Sequence, residues 1–459
     1  MSGPGLRSLG AYTLDRRPLA IAAYRRLWIA SVVGAVGGSF SVVAIPAQLY
    51  AVTGSSAAVG GSAAVSLAAL IVAALWTGAA ADARDRRTVL LAGYCGLALT
   101  YAGLWAQAAL GGRSVPVLLV LVACQGLSFG AVMTTMGAAV PRLVPADLLP
   151  AATSLSSLVR YAGSILGPLL AGVLIPVVGL GSLYLLDSVA LLAVLWAVVR
   201  LPPLPPRPSR VPPSPLGGSP FRRALGGFRY LAASRLLVAV VAVDLAAMVF
   251  GMPAALLPEL AARTYGGTAG GGPVLGLLYA AYPAGVFAVG LVSGTFTRVR
   301  RHGALLAAAA GAWGATVVVF GLASRLWLAL TALALGGAVN FVLSTFRNVI
   351  TQALTDDALR GRIQGSLTVV TIGGPQVGNL LHGSAGSAFG PRAVIAAGGL
   401  LTAVTVAVIA RAVPELWQYT APAGPPRTQD RSPASVPTRP ETAGLGSGVG
   451  TPPPLEHLP

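Results

Sequence analysis

Residues 57–110 read AAVGGSAAVSLAALIVAALWTGAAADARDRRTVLLAGYCGLALTYAGLWAQAAL. Two apolar runs, at 57–81 and 88–110, flank a short charged loop that holds Asp82, Asp85 and three arginines. Each run reaches the roughly 20 apolar residues that a helix needs to cross the hydrocarbon core of a bilayer. The stretch therefore predicts two membrane-spanning helices joined by a short polar loop.

The same pattern recurs along the whole chain of 459 residues. Hydrophobic residues make up 55% of it and charged residues only 10%, whereas soluble domains carry about 25% charged residues. This composition excludes a soluble enzyme, a disordered chain and a coiled coil, and favours an all-α polytopic membrane protein. We predict twelve transmembrane helices, at 27–50, 57–81, 88–110, 115–140, 152–177, 180–200, 236–258, 273–296, 303–323, 326–347, 363–385 and 391–413. The first run lacks a cleavage-site pattern, so we interpret it as a retained helix rather than a signal peptide.

The arginines predict the orientation. All 31 basic residues are Arg. If the N-terminus is cytoplasmic, 26 of them fall in cytoplasmic segments and one, Arg160, inside a span. The four in outward loops are Arg113, Arg263, Arg325 and Arg392. This bias predicts a protein of the cell (plasma or inner) membrane with both termini inside. The net charge of +18 is then a topology signal, and we expect no nucleic-acid partner.

Internal similarity divides the chain. Asp147 followed by Gly163 matches Asp357 followed by Gly373, at an offset of 210 residues, which is typical of transporters built from two rocking repeats. We predict two pseudo-symmetric six-helix bundles, at 27–200 and 236–413. Around them we place a cytoplasmic N-terminal segment at 1–26 and a Pro- and Arg-rich cytoplasmic linker at 201–235. The Pro-rich tail at 414–459 is expected to be disordered.

Two glycine-containing strings are candidate conformational motifs. In the loop at 78–87, Gly78 permits close helix approach, Asp82 can pair with an Arg, and Arg86 helps to anchor the cytoplasmic end. An ordinary positive-inside loop explains the same charges. In the fifth span, Gly163, Gly167 and Gly172 permit tight packing and Pro168 bends the helix. Generic packing of small residues is the alternative there.

Charged residues inside the spans are the candidates for proton coupling, because a buried charge is costly and usually functional. Asp244, about nine residues into the seventh span, is the best candidate for a carboxylate that binds and releases a proton. Arg160 and Asp187 either act in coupling or anion binding, or form a fixed salt bridge between neighbouring helices. Glu259, at the outer end of the seventh span, is expected to be solvated.

Polar and aromatic residues within the spans are candidates for lining a substrate cavity. They are Gln48, Gln125, Tyr161, Tyr279, Tyr282, Asn340, Gln376 and Asn379. The two cysteines, Cys95 and Cys124, lie in apolar runs, and the three histidines are far apart in sequence. We therefore expect no metal site, no disulfide framework and no cofactor.

Three strings carry a resemblance to the major facilitator superfamily. The loop at 78–87 resembles its signature between spans two and three, from which Ala83 and Asp85 depart. The fifth-span string at 163–172 resembles the antiporter motif of its exporters, which implies export rather than import. The fourth span keeps Gln125 and Gly126 of the family's Arg-x-x-Gln-Gly but lacks the Arg linked to proton coupling, which counts against a standard drug antiporter.

Further strings, at 46–53, 227–234, 276–285 and 355–365, resemble the branch that contains bacterial enterobactin (siderophore) exporters and macrolide-efflux-type proteins. The resemblance covers about residues 18–415. It implies a twelve-helix facilitator fold and proton-driven export of a siderophore or hydrophobic metabolite. It supplies no acidic counterpart for Asp244.

We therefore predict a secondary exporter, not an enzyme, that moves a small molecule by proton antiport and alternating access and acts as a monomer in the lipid bilayer. A broad multidrug efflux pump and, less favoured, a solute importer remain alternatives. A membrane-embedded enzyme or a non-transporting partner protein is the hypothesis from another class. The chain has no phosphate-binding loop and no His-Glu-x-x-His string to support an enzyme.

Overall fold

The apolar runs form long helices, because a backbone in hydrocarbon must satisfy its own hydrogen bonds. The structure is a computed structural model that describes residues 15–83, 85–205, 229, 231–232, 234–268, 270–292, 299–355 and 360–420. It does not describe the side chains of 74–83, 138, 360–362, 364–366 and 368. The helices are α1 (Ala22–Gly37), α2 (Phe40–Thr53), α3 (Ser56–Ala83), α4 (Arg86–Ala109), α5 (Val115–Leu143), α6 (Leu149–Val178), α7 (Leu180–Val199), α8 (Arg235–Gly251), α9 (Leu257–Arg263), α10 (Pro273–Leu291), α11 (His302–Leu322), α12 (Leu326–Ala353), α13 (Arg360–Phe389), α14 (Pro391–Ala412) and α15 (Pro414–Gln418).

Eleven stretches of the described residues are long and apolar enough to cross a membrane. The first combines α1 with α2, and the seventh combines α8, a short 3-10 helix at Ala254–Leu256 and α9. The 30-residue α13 is more polar than these, yet it is of spanning length and packs against α3 and α8. When α13 is added to these eleven stretches, each of the twelve predicted spans has a helix in the predicted order.

Two spans predicted as single helices are interrupted near their middles. The first run, predicted at 27–50, starts five residues earlier and is interrupted at Gly38 and Ser39. The seventh, predicted at 236–258, is interrupted at Met252 and Pro253. The sequences Gly37-Gly38-Ser39 and Gly251-Met252-Pro253 explain the breaks. Gly is a weak helix former, and Pro lacks the N–H that would donate the next backbone hydrogen bond of the helix.

Two helix pairs join the first six spans to the second six. A Cβ added to Gly60 of α3 would lie 3.1 Å from the Cα of Gly383 in α13. A Cβ added to Gly172 of α6 would lie 3.0 Å from the Cα of Gly276 in α10. All four glycines lie near the end of the bundle that the Arg pattern assigns to the outside, here called the predicted outer end. The two halves are therefore tightly packed there.

The segments flanking the spans are partly folded. Within the region predicted as linker, Leu201 and Leu204 are buried, and the Leu204 N–H donates to Asp85 at 3.1 Å. The expectation of a disordered tail from 414 is wrong at its start, because α15 packs against α11 and Gly303 donates to the Tyr419 carbonyl. Residues 206–228 and 421–459 lie outside the described part of the chain.

Candidate transport cavity

Two adjoining cavities lie between the halves of the bundle, and they share Val42, Ala254, Tyr279 and Asn379 in their walls. Their volumes are about 350 Å³ and 370 Å³. Residues from both halves, including both helix breaks, contribute to the walls. Interrupted helices near the midplane, at the interface of two repeats, mark the substrate site in many secondary transporters.

The first cavity is mostly apolar and aromatic, and we call it the aromatic chamber. Tyr282, Trp313 and Phe320 line it together with the second helix break, Met252 and Pro253. The rings of Tyr282 and Trp313 meet edge to face with centroids 5.6 Å apart. The Trp313 indole N–H donates to the Ala247 carbonyl at 3.0 Å, which fixes the ring in place.

The second cavity carries more polar groups, and we call it the amide chamber. Gln125, Gln376 and Asn379 line it, together with Ser41 from the first helix break. The Gln125 side-chain amide donates to the Tyr101 hydroxyl at 3.2 Å, and the side-chain oxygen (Oδ1) of Asn379 accepts from the Ala255 N–H at 3.0 Å. Asn379 thus replaces a backbone bond lost at the second break.

Five of the eight residues predicted to line a cavity do line one: Gln125, Tyr279, Tyr282, Gln376 and Asn379. The other three lie behind or beside these walls. Gln48 is buried in the first half and accepts from the Tyr184 hydroxyl at 2.7 Å. Asn340 accepts from the Tyr282 hydroxyl at 2.9 Å, so it orients a wall residue. Tyr161 lies under the Arg160 guanidinium, with 5.5 Å between Cζ and the ring centroid.

Arg160 does not pair with Asp187, so the alternative of a fixed salt bridge between them is wrong. Arg160 is exposed and donates to the Ser157 hydroxyl at 3.2 Å. It lies one helical turn from Ser164 and two from Pro168, both of which line the aromatic chamber. Its charge therefore lies on the face of α6 that carries cavity residues.

Asp187 is fully buried and caps the break in the first span. One carboxylate oxygen accepts from the backbone N–H of Ser41 at 2.8 Å and from the Ser41 hydroxyl. This bond satisfies a free N–H at the start of α2 and places negative charge at the positive end of a helix. The other oxygen has no hydrogen-bond partner among the described residues.

Asp244 forms a buried ion pair that the sequence did not predict. Its carboxylate accepts from Arg347 of α12 at 2.6 Å, and both side chains are less than a tenth exposed. Arg347 also donates to Thr371 of α13 at 3.3 Å, so the pair ties α8 to α12 and α13. Arg347 was counted among the cytoplasmic arginines, and this is wrong because its head group lies inside the bundle. The other oxygen of Asp244 has no partner among the described groups.

Glu259 is buried rather than solvated, contrary to expectation. It accepts from the Ser56 hydroxyl of α3 at 2.5 Å and from Arg263 at 3.0 Å, and it is 4% exposed. The expectation failed because the sequence does not reveal that α3 covers this end of α9.

Comparison with known proteins identifies the family. The family model described as transmembrane secretion effector matches residues 15–427. The chain belongs to this family. The enterobactin exporter EntS of Shigella flexneri is 30% identical over 379 residues, 82% of this chain and 88% of that protein. The EntS protein of Citrobacter koseri is 28% identical over 402 residues, 87% and 94% of the two chains.

Solved structures agree on the fold of this secretion effector. The nucleoside transporter NupG has a TM-score of 0.64 at 14% identity, over 86% of this chain and 99% of that chain. A bacterial homologue of the iron transporter ferroportin has a TM-score of 0.61 at 16% identity, over 84% and 98%. The predicted all-α facilitator fold and the resemblance to the enterobactin-exporter branch are confirmed. The chain is a membrane transporter and not an enzyme.

In this secretion effector the glycines of the fifth-span string, at 163–172, pack against two different parts of the bundle. A Cβ on Gly163 would lie 2.8 Å from the Ala35 Cβ, and one on Gly167 would meet Ser39 at the first helix break. Gly172 instead contacts the other half through α10. Pro168, between them, lines the aromatic chamber. The string therefore connects a helix break, a cavity wall and the contact between the halves.

The loop between the second and third spans contacts the start of the predicted linker. The Arg86 N–H donates to the Leu204 carbonyl at 3.3 Å, and the Arg87 guanidinium donates to the Val199 carbonyl. The packing around Gly78 and the side chain of Asp82 are not described, so the roles expected of these two residues stay predictions.

Proposed function

We propose that this secretion effector exports an amphipathic small molecule, a siderophore or a hydrophobic metabolite, from the cytoplasm. The observation that carries the proposal is the pairing of an aromatic chamber with an amide chamber between the two halves. The first suits a planar or apolar part of the substrate, and the second suits a part that forms hydrogen bonds. The names of the EntS relatives support a siderophore.

Alternating access is the proposed transport mode. The halves are in contact at the predicted outer end through Gly60 and Gly383 and through Gly172 and Gly276. Rocking about the cavity would separate these contacts and expose the bound substrate outside. The Arg bias supports cytoplasmic termini, and we propose that a single chain in the plasma or inner membrane is the transporting unit.

Proton antiport is the proposed energy source, with Asp244 as the proton carrier. A proton on Asp244 would neutralise one member of a buried ion pair and free Arg347 to change partners. Buried pairs are strongly destabilised when one member loses its charge, so protonation can favour a different arrangement of α8, α12 and α13. Arg160, on the cavity side of α6, is proposed to attract an acidic group of the substrate.

The test is a comparison of secreted small molecules in strains with and without the gene, in iron-poor and iron-rich medium, by mass spectrometry. The expected result is that one iron chelator disappears from the medium and accumulates in the cells of the deletion strain. An unchanged profile in both media would contradict siderophore export. Increased sensitivity to several toxic compounds would then favour the alternative of a multidrug pump, and inward accumulation in a counterflow assay would favour an importer.

A further inference from the structure

We infer that the hydrogen bond between Ser56 and Glu259 is a latch that holds the predicted outer end closed. The inference rests on the proposed function in one respect, namely that this end must open during transport. It assigns a role to Glu259, a carboxylate that lines neither the aromatic chamber nor the amide chamber and does not belong to the Asp244 ion pair.

The first argument is position. Ser56 is the first residue of α3 and belongs to the first half, whereas Glu259 lies on α9 in the second. The Ser56 carbonyl oxygen lies 2.5 Å from the place where a Cβ on Gly383 would be, so Ser56 is held at the crossing of α3 and α13. The bond therefore spans the same seam that the glycine contacts close.

The second argument is the geometry of the carboxylate. One oxygen accepts from the Ser56 hydroxyl at 2.5 Å and the other from the Arg263 guanidinium at 3.0 Å. Glu259 is 4% exposed, so it relies on these donors in place of water. Arg263 lies on the same helix and moves with Glu259. Rocking of the halves would therefore remove the Ser56 donor and retain the Arg263 donor.

The third argument is a comparison with the other two carboxylates in the spans. Asp187 is held by Ser41, within the first half, and Asp244 is held by Arg347, within the second. Rocking of the halves by itself breaks neither bond, because each lies within one half, although a proton on Asp244 would change the contacts within the second half. The contacts of Glu259, by contrast, differ between the closed and the open outer end. Only a group whose interactions differ between two states can bias the equilibrium between them.

The experiment measures the opening itself and needs no substrate. Spin labels on Arg113→Cys and Arg325→Cys, in outward loops of the two halves, report the distance across the predicted outer end. Cys95 and Cys124 are replaced by Ala, and the purified full chain is studied in nanodiscs by double electron–electron resonance. Removing a hydrogen bond to a charged group is expected to raise the ratio of open to closed outer ends roughly tenfold or more.

Ser56→Ala is the main variant and Glu259→Leu, which has no acceptor for the Ser56 hydroxyl, is the second. Ser384→Ala is the matched control, because Ser384 is exposed on α13 and donates only to carbonyls of its own helix. We expect a longer-distance population in both latch variants and the wild-type distribution in the control. A wild-type distribution in folded Ser56→Ala would overturn the latch. If Ser56→Ala does not fold, a wild-type distribution in Glu259→Leu has the same meaning.

The distance readout separates this inference from the proposed function. An unchanged secretion profile in the deletion strain would contradict siderophore export and leave the latch intact. A failed latch, in turn, would leave export intact.

Discussion

The carboxylate of Asp187, in α7, caps the amino end of α2 through the backbone N–H and the hydroxyl of Ser41. A buried acid from the sixth span thus stabilises the break in the first span. Ser41 also lines the amide chamber. The bond therefore connects the internal packing of the first half to the shape of the proposed substrate site.

Asp187→Ala should lower the thermal stability of the folded protein. The variant leaves two buried Ser41 donors without an acceptor, which costs about 1–3 kcal/mol. Asp187→Asn retains one carbonyl oxygen in the same place, so it should recover most of the loss and keep coupled transport. The measurement is the midpoint of thermal unfolding in detergent, with Asp147→Ala, at an exposed turn before α6, as the control. Equal midpoints for Asp187→Ala and wild type would disprove the capping role.

Asp244→Asn should fold and transport, but its transport should no longer respond to a pH gradient. An amide retains hydrogen bonding to Arg347 but cannot carry a proton at physiological pH. The measurement is substrate efflux from proteoliposomes, with and without an imposed pH gradient. Undiminished response to the gradient would rule out Asp244 as the carrier.

The stability of the same pair provides a separate check on its burial. Asp244→Ala leaves the Arg347 charge buried and unpaired, which is expected to cost about 3–5 kcal/mol. Asp244→Asn combined with Arg347→Gln removes both charges and should recover much of that loss. If Asp244→Ala is no less stable than the double variant, water must reach Arg347 and the pair is not buried in solution.

Much of the fold could be predicted because length and hydropathy determine where helices lie. The run predicted at 180–200 corresponds to Leu180–Val199, and the run at 326–347 lies within Leu326–Ala353. The breaks at Gly38 and Pro253 were missed, since apolar composition continues through them. The local signals for these breaks are the Gly-Gly-Ser and Gly-Met-Pro sequences.

The charged contacts could be predicted only in part. The sequence singled out Asp244 but not Arg347, which lies 103 residues away and resembles an ordinary positive-inside Arg. Glu259 was expected to be solvated because it ends a span, and its burial depends on Ser56 from the other half. Contacts between distant segments depend on how helices pack, and hydrophobic pattern carries no such information.

Gln376→Leu should weaken substrate recognition without affecting folding. The side chain lines the amide chamber, and loss of a neutral hydrogen bond corresponds to roughly a three- to tenfold change in affinity. We expect a higher KM for efflux with little change in the maximal rate. Gln352→Leu, at an exposed position near the end of α12, is the control. Identical KM values in the two variants would exclude Gln376 from the substrate site.

Cysteine labelling should establish the orientation. In a background without Cys95 and Cys124, Arg113→Cys should react with a membrane-impermeant maleimide in intact cells. Arg411→Cys, at the end of α14, should react only after the membrane is permeabilised. The expectation follows from the predominance of Arg on the predicted cytoplasmic side. The reverse labelling pattern would invert the assignment of the outer end and, with it, the direction of the latch.

Two adjacent glycines of α3 offer a matched test of the contact between the halves. A Cβ on Gly60 would lie 2.6 Å from the backbone carbonyl oxygen of Asn379, whereas one on Gly61 would meet nothing within 4 Å. Gly60→Ala should therefore push α3 away from α13 and loosen the predicted outer end. Gly61→Ala should leave this contact intact and stabilise α3 by up to about 1 kcal/mol, because Ala favours helix over Gly. The measurement is the spin-label distance between positions 113 and 325, together with the thermal midpoint. If both variants behave alike, the close approach at Gly60 does not control the closure of this end.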